Sequence, residues 1–234
     1  MEILPNIEII DLALYLKKEK ILIVSDLHIG IEETLNKQGI LIPRFQLNEI
    51  LKKLKNIIDK VDVKKVLITG DLKHGFGSIS EQEWRDILRL FDFLKDKEII
   101  LIKGNHDNYL KNIAYKRSIK VEELYSINNI CILHGDKIVK SKEFESSKVI
   151  IIGHAHPAVR FKGRSDKFKC FLVGKWKNKT LIVLPSLNQM VEGSDITREL
   201  VDTPFLRQNL ENFDVYIVED RIYKPIKLKS ITAI

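Results

Sequence analysis

The stretch "VIIIGHAHPAV", residues 149–159, sets two histidines two positions apart behind four consecutive β-branched residues. Val149, Ile150, Ile151 and Ile152 form an unbroken apolar run, the pattern of a strand covered on both faces. Gly153 ends the run, and Pro157 keeps the strand from resuming at once. His154 and His156 therefore lie at the carboxyl end of a core strand, where α/β sheets present their ligand crevices. Residues i and i+2 of an extended segment project to one side, so both imidazoles can face one site.

The same arrangement recurs along the chain. "KILIVSD" leads into Ser25-Asp26-Leu27-His28, "KKVLITGD" into Asp71-Leu72-Lys73-His74, and "KEIILIKGNHD" into Gly104-Asn105-His106-Asp107. A later strand ends in Leu133-His134-Gly135-Asp136. All six histidines fall in these five places. A lone histidine is more often a satisfied core or surface residue than a ligand, but solvated histidines do not gather at strand ends. Carboxylates, an amide oxygen and several imidazoles form a mixed N/O donor set suited to Mn, Fe, Zn or Co, with no thiolate to demand a soft metal. The donors are too many for one tetrahedral site. With one carboxylate bridging, they suit two metals about 3.5–4 Å apart, the arrangement used for in-line displacement at phosphorus.

The rest of the chain is consistent with a large α/β domain. Its 234 residues are 44% apolar and 30% charged, ordinary for a globular protein. No apolar run approaches the roughly twenty residues that span a membrane. The N-terminus lacks a basic start, and Glu8 and Asp11 interrupt its apolar stretch, so it does not read as a signal peptide. Cys131 and Cys170 sit in apolar strand-like runs and read as buried thiols, not a disulfide framework. A cytoplasmic protein is expected, in which the sequon at Asn178-Lys179-Thr180 has no consequence.

Without repeats, low-complexity tracts or a flexible linker, one domain over 1–234 is expected. A hairpin turns at Lys17–Lys20, helices cover 46–60 and the segment opened by Ser80, and strands precede Gly70 and Gly104. Beyond residue 120 strands dominate: 121–127, 130–134, 148–153, 158–162, 168–174, 180–184 and a hairpin over 214–229. Residues 185–212 lack periodicity and read as a loop over the site. The order is β-α-β-α-β followed by mostly β, an α/β sandwich and not a doubly wound sheet.

Net charge is +7, which favours polyanionic partners. Between Arg160 and Lys179 eight basic residues face one acid, Asp166, with Phe161, Phe168, Phe171 and Trp176 interleaved. The segment 160–179 is a candidate contact for DNA or RNA, the alternative being a solvated lysine face over core aromatics.

The ordered series D-x-H, G-D-x-x-H, G-N-H-D, H and G-H-x-H over residues 26–156 resembles the calcineurin-like metallophosphoesterases. "DLHIGIEETLNKQGILIPRFQ", "GDLKHG", "GNHDNYL" and "IIGHAHPAVRFKGR" are similar to the small single-domain SbcD-related and ligase-associated PdeM-like branch. The resemblance implies a four-layer α-β-β-α sandwich with mixed sheets and the active site at the carboxyl ends of core strands. It implies that Asp26, His28 and His156 hold one divalent metal and Asn105, His134 and His154 a second, with Asp71 bridging. Mn is the implied metal, with Fe, Zn, Co or Ni as alternatives. A metal-bridging hydroxide would attack phosphorus, while His106, held by Asp107, protonates the leaving oxygen. His74 stands where the purple acid phosphatases carry tyrosine and the superfamily's repair nucleases carry histidine, which leans towards phosphodiester substrates. Arg44 is a candidate contact for substrate phosphate. The expected activity is phosphodiester hydrolysis on nucleic acid or nucleotides, with any helicase, ligase or ATPase partner on a separate chain. A small-molecule phosphatase or cyclic-nucleotide phosphodiesterase is the alternative enzyme, and a non-catalytic scaffold the alternative of another class.

Overall fold

A computed structural model describes residues 1–232. The first sheet takes its seven strands in chain order: β1 (Glu2–Leu4), β2 (Ile7–Ile10), β3 (Ala13–Leu16), β4 (Ile21–Ser25), β5 (Lys65–Thr69), β6 (Glu98–Ile102) and β7 (Lys120–Glu122). β1 to β4 run antiparallel through tight turns, whereas β4 to β7 are parallel. Parallel neighbours need crossovers. Here α1 (Ile31–Lys37) and α2 (Gln46–Ile58) join β4 to β5, α3 (Glu81–Phe93) joins β5 to β6, and α4 (Leu110–Tyr115) joins β6 to β7. Leu47, Ile50, Leu54 and Ile57 bury one face of α2 at helical spacing. Ser80 opens α3 with a capping box: its hydroxyl accepts from the Glu83 N–H, and the Glu83 carboxylate accepts from the Ser80 N–H.

The second sheet comprises β8 (Leu124–Ile127), β9 (Ile130–Leu133), β10 (Val149–Ile152), β11 (Pro157–Val159), β12 (Phe168–Trp176), β13 (Lys179–Val183), β14 (Ser194–Asp195), β15 (Asp214–Ile217) and β16 (Ile226–Lys227). β10 lies between β9 and β13 and is parallel to both. Its residues alternate as a doubly covered strand requires. Ile151 packs in the cluster between the sheets, while Ile150 and Ile152 pack outward with Phe144 of α5 (Lys142–Ser146) and Ile231 of α6 (Leu228–Thr232). The layers are thus helices, sheet, sheet, and an outer cover of two short helices and irregular chain. No helix among the described residues is long and apolar enough to cross a membrane.

Three expectations need correction. The strand expected over 158–162 spans only Pro157–Val159, and Pro157 opens it instead of delaying it, the first position of a strand being where a missing N–H is tolerated. The run 121–127 is not one strand: it breaks at Glu123, so β7 pairs with β6 in the first sheet and β8 with β9 in the second. Continuous β propensity hid a chain that changes sheets. The hairpin over 214–229 is realised as β15 paired with β16, but residues from Leu228 onward turn into α6. Residues 185–212 contain only the two-residue β14 and otherwise pass over the strand ends. Both cysteines are buried and unpaired, and burial pushes the Cys131 thiol up to about 11.

Ile151 is fully buried between the sheets. Ile151→Ala should lower unfolding free energy by about 2–5 kcal/mol, read from urea titration. An unchanged midpoint would contradict this packing.

Candidate metal centre

The carboxyl ends of β4, β5, β9 and β10 meet at one level. The Ser25 hydroxyl donates to the carbonyl of Thr69 (3.0 Å), and the Thr69 hydroxyl to the carbonyl of Leu133 in the other sheet (3.0 Å). The Gly153 N–H donates to the His134 carbonyl (2.9 Å). Beyond this level the chain turns sharply. Asp26, His28, Asp71, His154 and His156 all adopt positive φ, between 39° and 62°. Non-glycine residues in that region are strained, and such strain collects at functional sites. Neighbouring glycines make room. A Cβ at Gly153 would stand 1.8 Å from the Ser25 hydroxyl, and one at Gly104 would stand 2.2 Å from the Asp71 carboxylate.

Three donor groups result. Asp26, His28 and His156 form the first, Asp71, His134 and His154 the second, and His28, His74 and His106 a third that shares His28 with the first. In the first, the Nε2 atoms of His28 and His156 face each other at 3.3 Å, and Asp26 Oδ1 lies 3.3 Å from His156 Nε2. In the second, His134 Nε2 is 3.1 Å from His154 Nδ1, 3.4 Å from Asp71 Oδ2 and 2.9 Å from Asn105 Oδ1. Asp26 Oδ1 is buried and accepts no hydrogen bond. Ring nitrogens and carboxylate oxygens converging at these distances are donors in search of a cation, and the N/O set fits a divalent transition metal. Neighbouring backbone holds the ligands in place: the His154 N–H donates to Asp26 Oδ2, and the His106 N–H to Asp71 Oδ1, both at 2.9 Å. His154 Nε2 contacts the carbonyl of Asp202 (3.0 Å), so the 185–212 segment aims its Nδ1 inward.

Electrostatics set these groups apart. Burial opposes the charge of Asp26, but the imidazoles of His156, His134 and His28 outweigh it and hold the carboxyl below the usual carboxylate range. Burial, reinforced by His156, pushes His28 down to about 3. For His134 burial works downward too, yet Asp71 and Asp26 overcome it and push the ring up to about 9. Such divergent shifts in one cluster mark functional sites more often than structural ones.

The other expected residues divide. His106 Nδ1 lies 2.5 Å from the carbonyl of His74, which leaves Nε2 facing the cluster, 3.8 Å from Asp71 Oδ2. His74 and His28 stand edge to face, 5.4 Å between centroids, and burial lowers the His74 pKa. Asp107 differs from the expected role. Its carboxylate accepts the N–H groups of Leu72, Lys73 and Gly104 and makes no hydrogen bond to the His106 ring. It braces the two turns and not the imidazole. Arg44 is exposed in a shallow cleft with Glu32, Asn48 and Arg89, apart from the donor groups.

The more instructive omissions are Phe76, Lys73 and Lys169. Gly75-Phe76-Gly77 reads as a mere turn, yet the Phe76 ring lies on His106 (centroids 3.6 Å) while remaining 62% exposed. Lys73 is fully buried below that turn and donates to the carbonyls of Gly75 and Gly77. Lys169 donates to the carbonyls of Ser186 (2.8 Å) and Asn188 (2.5 Å). Ser186 and Asn188 in turn donate to the carbonyls of Asp26 (2.6 Å) and Leu27 (2.9 Å). No pattern in the sequence distinguishes these lysines from solvated ones.

The sequence pattern of the calcineurin-like phosphoesterases matches residues 19–183, well over half the chain. The chain belongs to that family. It is accordingly a metal-dependent phosphoesterase. Among solved structures it is similar to the nuclease MPE of Pseudomonas putida, at 19% identity and a TM-score of 0.66, covering 92% of this chain and 91% of that one. It is also similar to YfcE, a phosphoesterase from E. coli, at 11% identity and a TM-score of 0.43, covering 89% and 98%. A search of curated proteins finds no match. At these identities the likeness to MPE speaks for the fold alone.

Burial, with Lys53 nearby, pushes Lys169 down to about 7 from 10.5. A depressed ammonium contributes stability above its unfolded pKa and loses it as pH falls through the folded one. The stability difference, Lys169→Met minus wild type, should therefore favour the variant more at pH ~6 than at pH ~9 in thermal unfolding. A difference independent of pH would show that the ammonium is not enclosed.

Proposed function

We propose that the protein hydrolyses phosphodiester bonds of nucleic acid or nucleotides with two divalent cations, Mn in the first instance. Asp26, His28 and His156 would hold one cation, Asn105, His134 and His154 the other, and Asp71 would lie between them. The observation that carries this is the pair of donor groups at one strand-end level, with His106 Nε2 turned towards Asp71. Cations bound there would neutralise charge on the phosphoryl oxygens and lower the pKa of an attacking water.

The protein's own residues supply the rest. The His74 carbonyl takes the Nδ1–H of His106, which leaves Nε2 facing the cluster; the imidazolium form of His106 would give its Nε2 proton to the leaving oxygen and end as the neutral Nδ1–H tautomer. Asp107 holds the turns that carry Asp71 and His106 at a common height. The Asp202 carbonyl orients His154. A diester substrate has a second organic group to place, and the exposed Phe76 ring beside His106 is suited to receive it. His74, whose ring lies 5.9 Å from that of His106 between centroids, and the net charge of +7 support the same reading. Arg44 could meet a phosphate only farther along a bound strand. A separate helicase, ligase or ATPase partner belongs to the same proposal.

The test compares Mn²⁺-dependent turnover of bis-p-nitrophenyl phosphate with that of p-nitrophenyl phosphate. Diester turnover is expected to dominate and to fall about 10²–10⁴-fold in His106→Ala. Monoester turnover alone would overturn the diester reading and favour a small-molecule phosphatase.

A further inference from the structure

The basic and aromatic segment 160–179 resolves into two different populations. Phe171 and Trp176 are buried core, and the ammonium groups of Lys169 and Lys179 are used on backbone carbonyls. At the surface remain Lys175 and Lys177 at the far end of β12 and, at the near end, the turn between β11 and β12. There Phe161 and Phe168 stand edge to face, 5.8 Å between centroids, with Arg164 exposed beside them. These residues line a groove of about 810 Å³, completed by Ile222, Tyr223 and Lys224 from the connection between β15 and β16. Arg221 lies over the Tyr223 ring at 4.8 Å, and the Tyr223 hydroxyl donates to Asp220 (2.8 Å). Arg164 and Lys224 have no ion-pair partner among the described residues.

Strand register places this groove. Leu172 of β12 is level with Val183 of β13, which is level with Ile152, the last residue of β10. Residues 168–171 of β12 therefore extend past that level, towards the end where His154 and His156 stand. Cys170 pairs with Ile217, so the β15 end and the connection after it rise on the same side. β12 is two strands from β10, about 10 Å across the sheet. The groove and the histidines thus share one end of the sandwich.

We propose that this groove is a nucleobase subsite for single-stranded nucleic acid, an inference that rests on the diesterase reading above. Phe161, Phe168 and Tyr223 are half-buried rings along the groove wall; aromatic faces accept any base by stacking, and the unpaired Arg164 and Lys224 meet flanking phosphates. Charge complementarity decides the occupant: the groove carries three cations, Arg164, Arg221 and Lys224, against one acid, Glu219. An apolar peptide or a second copy of this basic chain would leave those cations unanswered.

The test measures fluorescence anisotropy of a short oligothymidylate and of an abasic strand of equal length, in a His106→Ala parent that turns over slowly. Phe161→Ala should weaken oligothymidylate binding about tenfold and leave the abasic strand unchanged. The double variant Arg164→Glu and Lys224→Glu, confined to exposed side chains, should weaken both strands and steepen neither salt slope. Each substitution, placed in the otherwise wild-type protein, should leave bis-p-nitrophenyl phosphate turnover unchanged. Equal loss for the abasic strand in Phe161→Ala, or unaltered binding in the charge-reversed variant, would overturn the subsite. So would a groove variant that only converts a sedimenting dimer to monomer. If diester turnover persists while groove variants bind normally, the subsite alone fails. Absence of diester turnover in the wild type strikes the function itself.

Discussion

The hydrogen bonds from Ser25 to Thr69 and from Thr69 to Leu133 tie the carboxyl ends of three strands, drawn from two sheets, at one height. Every feature of the metal centre depends on that tie. Each donor leaves its strand within a few residues of this level, so a slip of either sheet would separate the two donor groups. The second sheet needs β10 to be parallel to β9 and β13, because only then do His134 and His154 emerge on the same side. The first sheet needs the crossovers through α2 and α3 for the same reason.

The arrangement is costly, and the fold carries the cost in identifiable places. Five site residues hold left-handed backbone, each worth on the order of 1–3 kcal/mol of strain. Buried carboxylates and imidazoles lose hydration that only mutual attraction and a bound cation can replace. Opposing these terms is a continuous apolar cluster that runs from α2 and α3 through both faces of β4, β5 and β6 into the space between the sheets. Loops are tied down by charge: Lys73 under the Phe76 turn, Lys169 under the segment that braces Asp26 and Leu27. Lysines whose ammonium groups reach in to backbone carbonyls serve as cross-links of irregular chain.

Much of this was legible in the residues themselves. Uninterrupted runs such as Val149–Ile152 identify doubly covered strands, and Gly70, Gly104 and Gly153 after three of them mark where side chains must approach closely. The donor residues follow because strand ends concentrate chemistry and because histidine is scarce in this chain. Legibility failed where meaning depends on a partner far along the chain. Glu123 looks like any residue within a strand, yet it is where the chain changes sheets. Asp107 adjoins His106 in sequence but binds Leu72 and Lys73, more than thirty residues earlier. Short elements such as α4 and α5 have too few residues for a periodic signal, and Phe76 sits in a turn whose significance lies in the ring beneath it.

The proposed function requires that the strand ends hold two cations and not one. The direct measurement is Mn²⁺ binding by calorimetry to the metal-stripped protein, with Asp71→Asn alongside. The account predicts two ions per chain in the wild type and weakened binding of both in the variant, since Asp71 lies between the donor groups. One ion per chain, or an Asp71→Asn protein that binds two as tightly as before, would contradict it.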